Sequence, residues 1–225
     1  MRVAANMAVW RNAIPSRYEL YEAKREALLR EAAAAFNRNG FHATSLDDIA
    51  HNLGLTKAAL YHYFPNKQTL LSACFARAME VAFLALHHAQ TEGVNGRDKL
   101  IRCISFYVER MIDELSCCVV LLEENALRPA DHALLVAERD RFEQALRALV
   151  REGIADGSII ACDPKLVIFA ILGSINWIPK WFRHSGDWSS GDLTKSLMEL
   201  FDRMLSTHPA AALALQVGGS AAQGP

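Results

Sequence analysis

Residues 41–71 read FHATSLDDIAHNLGLTKAALYHYFPNKQTLL and describe two short helices joined by a tight turn. The segment 44–48 offers Ser or Thr as an N-cap and two acidic residues in the first turn, which predicts the first helix. Gly54 permits the turn, and Thr56 can cap a second helix over 57–63. A helix of about two turns with a polar N-terminus fits the major groove of B-DNA. The pattern therefore predicts a helix-turn-helix that binds DNA.

The second short helix carries side chains that its own packing does not need. Lys57 can donate hydrogen bonds to O6 and N7 of guanine. The backbone N–H of Thr56 stands at a helix N-terminus, which attracts phosphate. His62 is placed to face either a base edge or solvent. The side chains expected to hold backbone phosphates are Tyr61, Tyr63 and Lys67.

The pattern from Gly40 to Leu70 is G-F-x-x-T-S-L-D-D-I-A-x-x-L-G-L-T-K-A-A-L-Y-x-Y-F-x-N-K-x-x-L. It resembles the DNA-binding domain of the Tet-repressor family over about thirty consecutive positions. The resemblance implies three helices for DNA, about six for ligand binding and dimerisation, and release of the operator when a ligand binds. The alternative is a helical hairpin whose tyrosines only pack.

The resemblance also implies roles for individual positions. Thr44 would contact phosphate at the start of the first short helix. Ala58 stands where many family members have glycine, so a close backbone approach to DNA is less available there. The groove-facing residues would be Thr56, Lys57, Ala58 and His62, and the phosphate-holding residues Tyr61, Tyr63 and Lys67.

Helical patterns continue along the whole chain, and no segment alternates as a β-strand does. We predict an all-α, nine-helix, two-domain architecture, with an N-terminal three-helix helix-turn-helix domain and a C-terminal ligand-binding and dimerisation bundle. The predicted domains are a flexible arm (1–15), the DNA-binding domain (16–70), the ligand-binding and dimerisation domain (71–208) and a disordered tail (209–225). The predicted helices cover 17–39, 46–53, 57–63, 67–90, 97–115, 117–128, 131–152, 164–183 and 191–206.

The composition is that of an ordinary globular protein, with 52% hydrophobic and 22% charged residues. Residues 1–70 carry nine Lys and Arg against six Asp and Glu, whereas the remainder carries 15 against 19. A basic head on an acidic body suits a DNA-binding domain joined to a sensor. No apolar run has the length of a membrane span, and no signal peptide begins the sequence. The five cysteines form no CxxC pair, which favours reduced thiols and a cytoplasmic location.

A sensor bundle needs an apolar cavity with a few polar groups that orient the ligand. Aromatic and polar residues at helical spacing in the C-terminal part are candidates for its lining, and ordinary core packing is the alternative for each. The candidates are Phe83, His87, Phe106, Arg110, Asn125, Asn176 and Trp177.

The segment 176–184, NWIPKWFRH, combines two tryptophans one helical turn apart with a proline inside the helix. It resembles the end of the penultimate helix in Tet-family members that respond to acyl-CoA thioesters. This resemblance implies that Lys180 and Arg183 receive CoA phosphates and that Trp177 and Trp181 stack on the ligand. Packing against a second copy of the chain is the favoured alternative, because large aromatics are enriched at interfaces.

The favoured function is a homodimeric repressor that releases a palindromic DNA operator on binding a small hydrophobic effector, with an acyl-CoA of lipid or steroid catabolism as the candidate. A thiol-responsive regulator that uses Cys117 and Cys118, or a co-repressor-dependent one, is the alternative on the same fold. No Gly-rich phosphate loop, HExxH motif, nucleophile elbow or metal-spaced Cys/His set occurs, so we expect neither an enzyme nor a resident cofactor or metal.

Overall fold

The computed structural model describes residues 16–112, 124–183 and 185–206, and these ranges contain eight α-helices and no strand. The helices are α1 (Arg17–Asn39), α2 (Leu46–Asn52), α3 (Lys57–Tyr63), α4 (Lys67–Glu92), α5 (Gly96–Arg110), α6 (Pro129–Ala155), α7 (Pro164–Trp181) and α8 (Ser190–Leu205).

The expectation of an all-α fold is confirmed, but nine helices are corrected to eight α-helices within the described ranges. Most of the predicted helix over 117–128 lies outside these ranges, and its described end is a 3-10 turn at Glu124–Ala126. The next α-helix begins at Pro129 rather than 131. Proline suits the first helical position, because its φ is already helical and its missing N–H would have had no partner there.

Side chains at the helix N-caps hold the starts of α2, α3 and α4. The Ser45 hydroxyl accepts from the Asp47 N–H at 3.1 Å, and the Thr56 hydroxyl accepts from the Ala59 N–H at 3.2 Å. The Asn66 side-chain oxygen accepts from the third N–H of α4 at 2.8 Å. All three predicted helix starts are therefore confirmed.

Gly40 ends α1, as predicted, with its N–H donated to the Phe36 carbonyl at 2.8 Å. Its φ is 80° and its ψ is 159°, so the backbone combines a positive φ with an extended ψ. Glycine adopts this region at no steric cost, whereas other residues do not.

Two apolar clusters make up the core. The first joins α1, α2 and α3 to the beginning of α4, with Leu28, Ile49, Leu60 and Leu71 fully buried. The second lies among α4 to α8; Leu100, Ile104, Leu146 and Ile168 are its largest fully buried side chains. The first cluster defines the head, which comprises α1 to α3 and the start of α4, and the second defines the body, which comprises the rest of α4 and α5 to α8. The long helix α4 contributes to both clusters, so one continuous helix connects the head to the body.

Close packing of α5 against its neighbours fixes the body. A Cβ placed on Gly96 would lie 2.1 Å from the Gly153 nitrogen, so the start of α5 and the end of α6 touch through backbone. The Arg97 guanidinium donates two hydrogen bonds to Asp202 of α8, at 2.7 and 2.5 Å. A bidentate pair of this kind fixes the relative orientation of the two side chains and also holds α5 against α8.

The helix α4 is long and apolar enough to cross a membrane by length and composition alone. Half of its most apolar window is buried within the protein, and core helices of soluble proteins pass the same test. The observation is therefore only weak evidence for a membrane span.

The predicted domain limits lie just before α1, inside the fourth helix and after α8, and they stay predictions. The arm (1–15) and the tail (from 209) lie outside the described residues. The predicted limit between residues 70 and 71 falls inside α4, which is continuous there. Leu70, Leu71 and Phe75 all belong to the head cluster.

Candidate DNA-binding face and effector cavity

The turn between α2 and α3 presents α3 on the surface of the head. Gly54 has a φ of 64°, and the Leu55 N–H donates to the Ala50 carbonyl at 2.8 Å. Leu60 of α3 is fully buried against the head core. The opposite side of α3 is exposed along its length, and this face, named the α3 face below, comprises Thr56, Lys57, Ala58, Tyr61 and His62.

Lys57 is held by a neighbouring carboxylate on the α3 face. Its Nζ lies 2.8 Å from Oδ2 of Asp47, and both side chains are more than half exposed. The hydrogen bond to Asp47, followed by the attraction of its charge, raises the pKa of Lys57, so the ammonium is charged at neutral pH. Exposed pairs of this kind are weak, and Lys57 can exchange Asp47 for a base edge or a phosphate.

The aromatic residues of α3 divide between surface and packing. Tyr61 is 41% exposed, and Nζ of Lys57 lies 6.0 Å from the centre of its ring. Tyr63 stacks on Tyr21 of α1 with ring centres 4.7 Å apart, while the exposed His62 contacts Tyr21 edge-on at 6.3 Å. Tyr61 and His62 are thus available on the α3 face, and the Tyr63 ring is held against α1.

Thr44 has a different role from the phosphate contact expected. It is buried, and its hydroxyl donates to the carbonyls of Gly40 at 2.8 Å and Ala35 at 3.2 Å. Its N–H donates to the Gly40 carbonyl as well. Both donors are used within the protein, because Thr44 closes the turn that follows α1. This corrects the expectation.

Lys67 likewise points inward. Its Nζ donates to the carbonyls of Phe41 at 2.7 Å, Thr44 at 2.9 Å and His42 at 3.2 Å, and it lies 4.5 Å from the Phe41 ring centre. An ammonium has three donors, and all three are used here. The structure therefore corrects the expected phosphate contact, since Lys67 binds the turn between α1 and α2 to the start of α4.

A cavity of about 540 Å³ lies among α4, α5, α6 and α7, within the size range of small-molecule sites. Most of its lining is apolar, and Asn176 supplies an amide. Asn176 is the one predicted ligand residue that lines this cavity. The apolar lining residues are Phe75, Ala78, Met79, Ala82, Tyr107, Met111, Leu135, Phe142, Phe169, Leu172 and Gly173.

Charged residues of α6 and α7 also line the cavity. Arg139 pairs with Glu124 at 2.5 Å, and Arg147 pairs with Glu143. Nζ of Lys165 and the Arg147 guanidinium lie 5.6 and 5.5 Å from the Phe169 ring centre. The cavity lining thus combines apolar side chains with three cations, Arg139, Arg147 and Lys165, and two carboxylates, Asp140 and Glu143. Lys165 and the arginines can receive an anionic group if the arginines exchange their carboxylate partners for it.

Six of the seven predicted ligand residues lie outside this cavity, and five of the six line no space described here, which corrects that part of the expectation. His87, Arg110 and Asn125 are exposed, and Trp177 is 62% exposed. Phe106 packs between His88, at 5.2 Å, and the Arg110 guanidinium, at 5.0 Å. Helical spacing indicates which residues share one side of a helix, but it does not indicate which side turns towards the cavity.

Phe83 lines a second space of about 420 Å³, between α4 and the first half of α6. This space, named the second groove below, has its own apolar side chains and partly exposed walls. The Phe83 ring also meets Phe142 edge-on at 5.9 Å, and Phe142 lines the main cavity.

The segment at the end of α7 lies on the surface. Trp181 is exposed and meets Trp188 edge-on at 6.4 Å. Lys180 and Arg183 are exposed, and Arg183 donates to the Phe182 carbonyl at 2.9 Å. None of Lys180, Trp181 and Arg183 lines the two spaces described, whereas an exposed aromatic surface is available for packing.

The sequence reasoning missed the cations that line the main cavity. Arg139, Glu143 and Arg147 follow one another at i, i+4 and i+8 on α6, and Lys165 and Phe169 are one turn apart on α7. This spacing shows that each set shares a helix side. It does not show that the two sides face the same cavity, which only the packing of α6 on α7 establishes.

The two buried cysteines, Cys74 and Cys103, serve core packing rather than thiol chemistry. Burial raises the pKa of both Cys74 and Cys103 to about 12, so neither forms a thiolate at neutral pH. Cys117 and Cys118 lie outside the described residues. Within those residues, no group of three His, Cys, Asp or Glu side chains could hold a metal ion.

Two family models match the chain. The model described as "Bacterial regulatory proteins, tetR family" matches residues 28–74, and that described as "Tetracyclin repressor-like, C-terminal domain" matches residues 93–205. The first match contains the α3 face, and the second contains most of the cavity lining.

Individual relatives extend over most of the chain. The HTH-type transcriptional repressor KstR2 of Rhodococcus jostii (strain RHA1) is 22% identical over 82% of this chain and 93% of its own length. The crystal structure of PfmR, a TetR family transcriptional regulator from Thermus thermophilus, has 32% identity and a TM-score of 0.67, covering 78% of this chain and 97% of that one. The crystal structure of AibR in complex with isovaleryl coenzyme A and operator DNA has 25% identity and a TM-score of 0.66, covering 78% and 96%. These families and relatives are regulators, and no enzyme family is among them.

Proposed function

The chain belongs to the Tet-repressor family of bacterial regulatory proteins, and from this premise we propose that it is a homodimeric repressor of transcription in the cytoplasm. It binds a palindromic double-stranded operator through the α3 face and releases it when a small hydrophobic effector enters the main cavity. The observation that carries the proposal is the presence, in one chain, of an exposed α3 face and an apolar cavity joined by α4.

DNA recognition rests on the residues that the fold leaves exposed. Thr56, Lys57, Ala58 and His62 face the major groove, with Lys57 donating to a base edge. Tyr61 and the hydroxyl of Tyr63 hold phosphates on either side. The residues 16–70 act as the DNA-binding domain, and 71–208 act as the effector and dimerisation domain.

A dimer is expected because one short recognition helix contacts too few bases to select an operator. A single α3 reads too few bases to select one operator among genomic sites, whereas two copies related by a twofold axis read a palindrome. Large apolar side chains stand exposed on the last two helices and on the loop between them, which provides a surface for a second copy. These side chains are Leu166, Phe169, Trp177, Trp181, Trp188, Leu200 and Met204.

An acyl-CoA thioester is the effector class that the cavity favours. The acyl part suits the apolar interior, and Lys165, Arg139 and Arg147 stand where phosphates can be received. The similarity to AibR, whose structure holds isovaleryl coenzyme A and operator DNA, supports this class, and the similarity to the repressor KstR2 supports repression. Lys180, Arg183 and the tryptophans of α7 then serve dimer packing.

The link from cavity to DNA runs along the first turns of α4. The Gln68 amide donates to the Ala126 carbonyl at 2.5 Å, and the Ser72 hydroxyl donates to Asp131 at 3.0 Å. These contacts join the start of α4, which belongs to the head, to the 3-10 turn before α6 and to the first turn of α6, from which α6 continues into the wall of the cavity. An effector that binds more tightly to another arrangement of α4 and α6 would favour that arrangement and change the distance between the two α3 faces of the dimer. The size of this shift is limited by the difference in the effector's affinity for the two arrangements.

The test is a titration of the full chain with fluorescent DNA from upstream of its own gene, with and without CoA thioesters of different acyl groups. Release of the DNA by a thioester at micromolar concentration, with no release by free CoA, would support the proposal. Tighter DNA binding in its presence would instead support a co-repressor-dependent regulator. DNA binding that no thioester changes would reject this effector class and leave the DNA-binding role intact.

A further inference from the structure

The main cavity and the second groove share a wall. Phe75, Met79 and Leu135 line both spaces, with α4 and α6 contributing to each. Nothing but these side chains is common to the two linings. A small movement of the shared wall would therefore join the two spaces into one long site.

The three side chains of the wall differ in how easily they can move. Phe75 and Leu135 are buried at 2% and 5% exposure, whereas Met79 is only half-buried. Methionine is unbranched and has three rotatable bonds, so it can change rotamer without moving the backbone. Met79 is thus the part of the wall that can open.

The second groove suits an apolar chain. Leu134 is 63% exposed within it, and Ala76, Phe83 and Leu127 add further apolar surface. Exposed apolar side chains that line a concave surface gain free energy when a chain covers them.

The charges at the edge of the second groove already have partners. Arg141 pairs with Glu138 at 2.8 Å and lies 4.0 Å from the Phe83 ring centre. Glu80 pairs with Arg77 at 3.3 Å, and Asp131 accepts from Ser72 at 3.0 Å. An apolar chain end can enter without taking an unpaired charge out of water.

We propose that the second groove is the distal subsite of the effector and that Met79 is the gate between it and the main cavity. The effector is then a molecule with an unbranched apolar chain too long for the main cavity alone, and Met79 sets the chain length that the protein prefers. This inference rests on the proposed function in taking the main cavity as the effector site.

The groove is also close to the contact between head and body. Ser72 and Asp131, which hydrogen-bond to each other, both line it. A chain end in the groove lies beside this hydrogen bond, so long effectors disturb the connection between α4 and α6 more than short ones do.

The test compares Met79→Trp with the wild-type chain, using a ladder of straight-chain ligands from butanoyl to hexadecanoyl, each supplied as the CoA thioester and as the free carboxylate. Each methylene that leaves water strengthens binding by about fourfold, so wild-type affinity should rise with length until the groove is filled. The indole closes the gate, so the affinity lost relative to wild type should increase with chain length, with the longest ligands losing at least tenfold more than the shortest. Leu84→Trp, on an exposed position of α4 that lines neither space, is the control and should behave as wild type.

A second variant keeps the test valid if the indole disturbs folding. Leu134→Asp changes an exposed side chain and places a carboxylate where the chain end would lie, so long-chain affinity should fall at least tenfold while short-chain affinity stays unchanged. Leu84→Asp is its matched control.

The outcomes separate the inference from the proposed function. Binding of carboxylates but not thioesters would reject the CoA effector and still support the gate, provided that Met79→Trp weakens the binding of long chains more than that of short ones. Equal weakening of all lengths by both variants, or no weakening of the longest, would overturn the gate even if thioesters release the DNA. Absence of binding at every length, in both forms, would overturn the gate and the acyl-CoA effector class, while the DNA-binding role would stand.

Discussion

Lys57 is the first residue of α3 and Lys67, ten residues later, is the first residue of α4, and their ammonium groups have different roles. Lys57 is exposed beside Asp47, whereas Lys67 donates to three carbonyls of the turn after α1. One charge is available to a partner, and the other stabilises the fold. Substitutions at the two positions should therefore separate DNA affinity from stability.

Lys67→Met should lower the free energy of unfolding by about 2–3 kcal/mol, because it removes charge-assisted hydrogen bonds and leaves carbonyls without a donor. Urea unfolding followed by circular dichroism measures this loss. Lys24→Met, at an exposed position of α1, is the control and should leave stability unchanged. A stable Lys67→Met protein whose DNA binding has lost about one unit of salt dependence would show that Lys67 contacts phosphate after all.

Lys57→Ala should leave stability unchanged and weaken operator binding by about 1–3 kcal/mol, because its partner Asp47 is a weak surface contact and its hydrogen bonds to DNA are lost. Fluorescence anisotropy with operator DNA and with a scrambled duplex measures the change. Asp47→Asn frees Lys57 and should not weaken binding. If Lys57→Ala binds the operator as wild type does, the assignment of the α3 face as the reading surface fails.

At the scale of single elements, the α2–α3 turn determines how α3 is presented. Gly54 has a φ of 64°, and a Cβ there would meet no atom within 4 Å, so any cost of a side chain arises from the backbone alone. The buried Leu60 then fixes the rotation of α3, with the α3 face directed outward.

Gly54→Ala should lower the free energy of unfolding by about 1–2 kcal/mol, because a residue with a Cβ is strained at this φ. Gly191→Ala, near the start of α8 and in ordinary contact with its surroundings, is the matched control. There the change should be neutral or stabilising by up to about 1 kcal/mol. Equal urea midpoints for wild type and Gly54→Ala would contradict the strain argument.

For the molecule as a whole, α4 is the element that belongs to both the head and the body. Its first turns pack with the head, its later turns line both spaces described, and Met79 packs against both clusters. The hydrogen bonds from Gln68 and Ser72 connect this helix to the 3-10 turn before α6 and to the first turn of α6. Events in the cavity can reach the α3 face through this connection without an additional domain contact.

Ser72→Ala should increase the effect of an effector on DNA affinity by up to about fivefold, because a hydrogen bond of about 1 kcal/mol that resists the rearrangement is lost. The measurement is the ratio of DNA dissociation constants with and without a saturating thioester. Ser105→Ala, which removes an exposed contact with Glu109 on α5, should leave the ratio as in wild type. An unchanged ratio in Ser72→Ala would exclude this contact from the coupling.

The sequence by itself determined the head of this protein. Ser45, Thr56 and Asn66 cap helices through hydrogen bonds to residues two or three positions away, and Gly54 turns the chain where it stands. These interactions are local, so their residue types and spacing were sufficient to predict α2, α3 and the start of α4. The exposed positions of the α3 face followed from the same helix periodicity.

Only the tertiary structure decided which side chains meet across elements. Lys67 and Thr44 find their acceptors on other segments of the head, and the main cavity collects Tyr107, Phe142 and Lys165 from three different helices. Such contacts depend on the rotation and spacing of packed helices, which the pattern of one helix does not contain. For that reason the sequence located the α3 face, whereas the cavity lining, the inward role of Lys67 and the gate at Met79 required the fold.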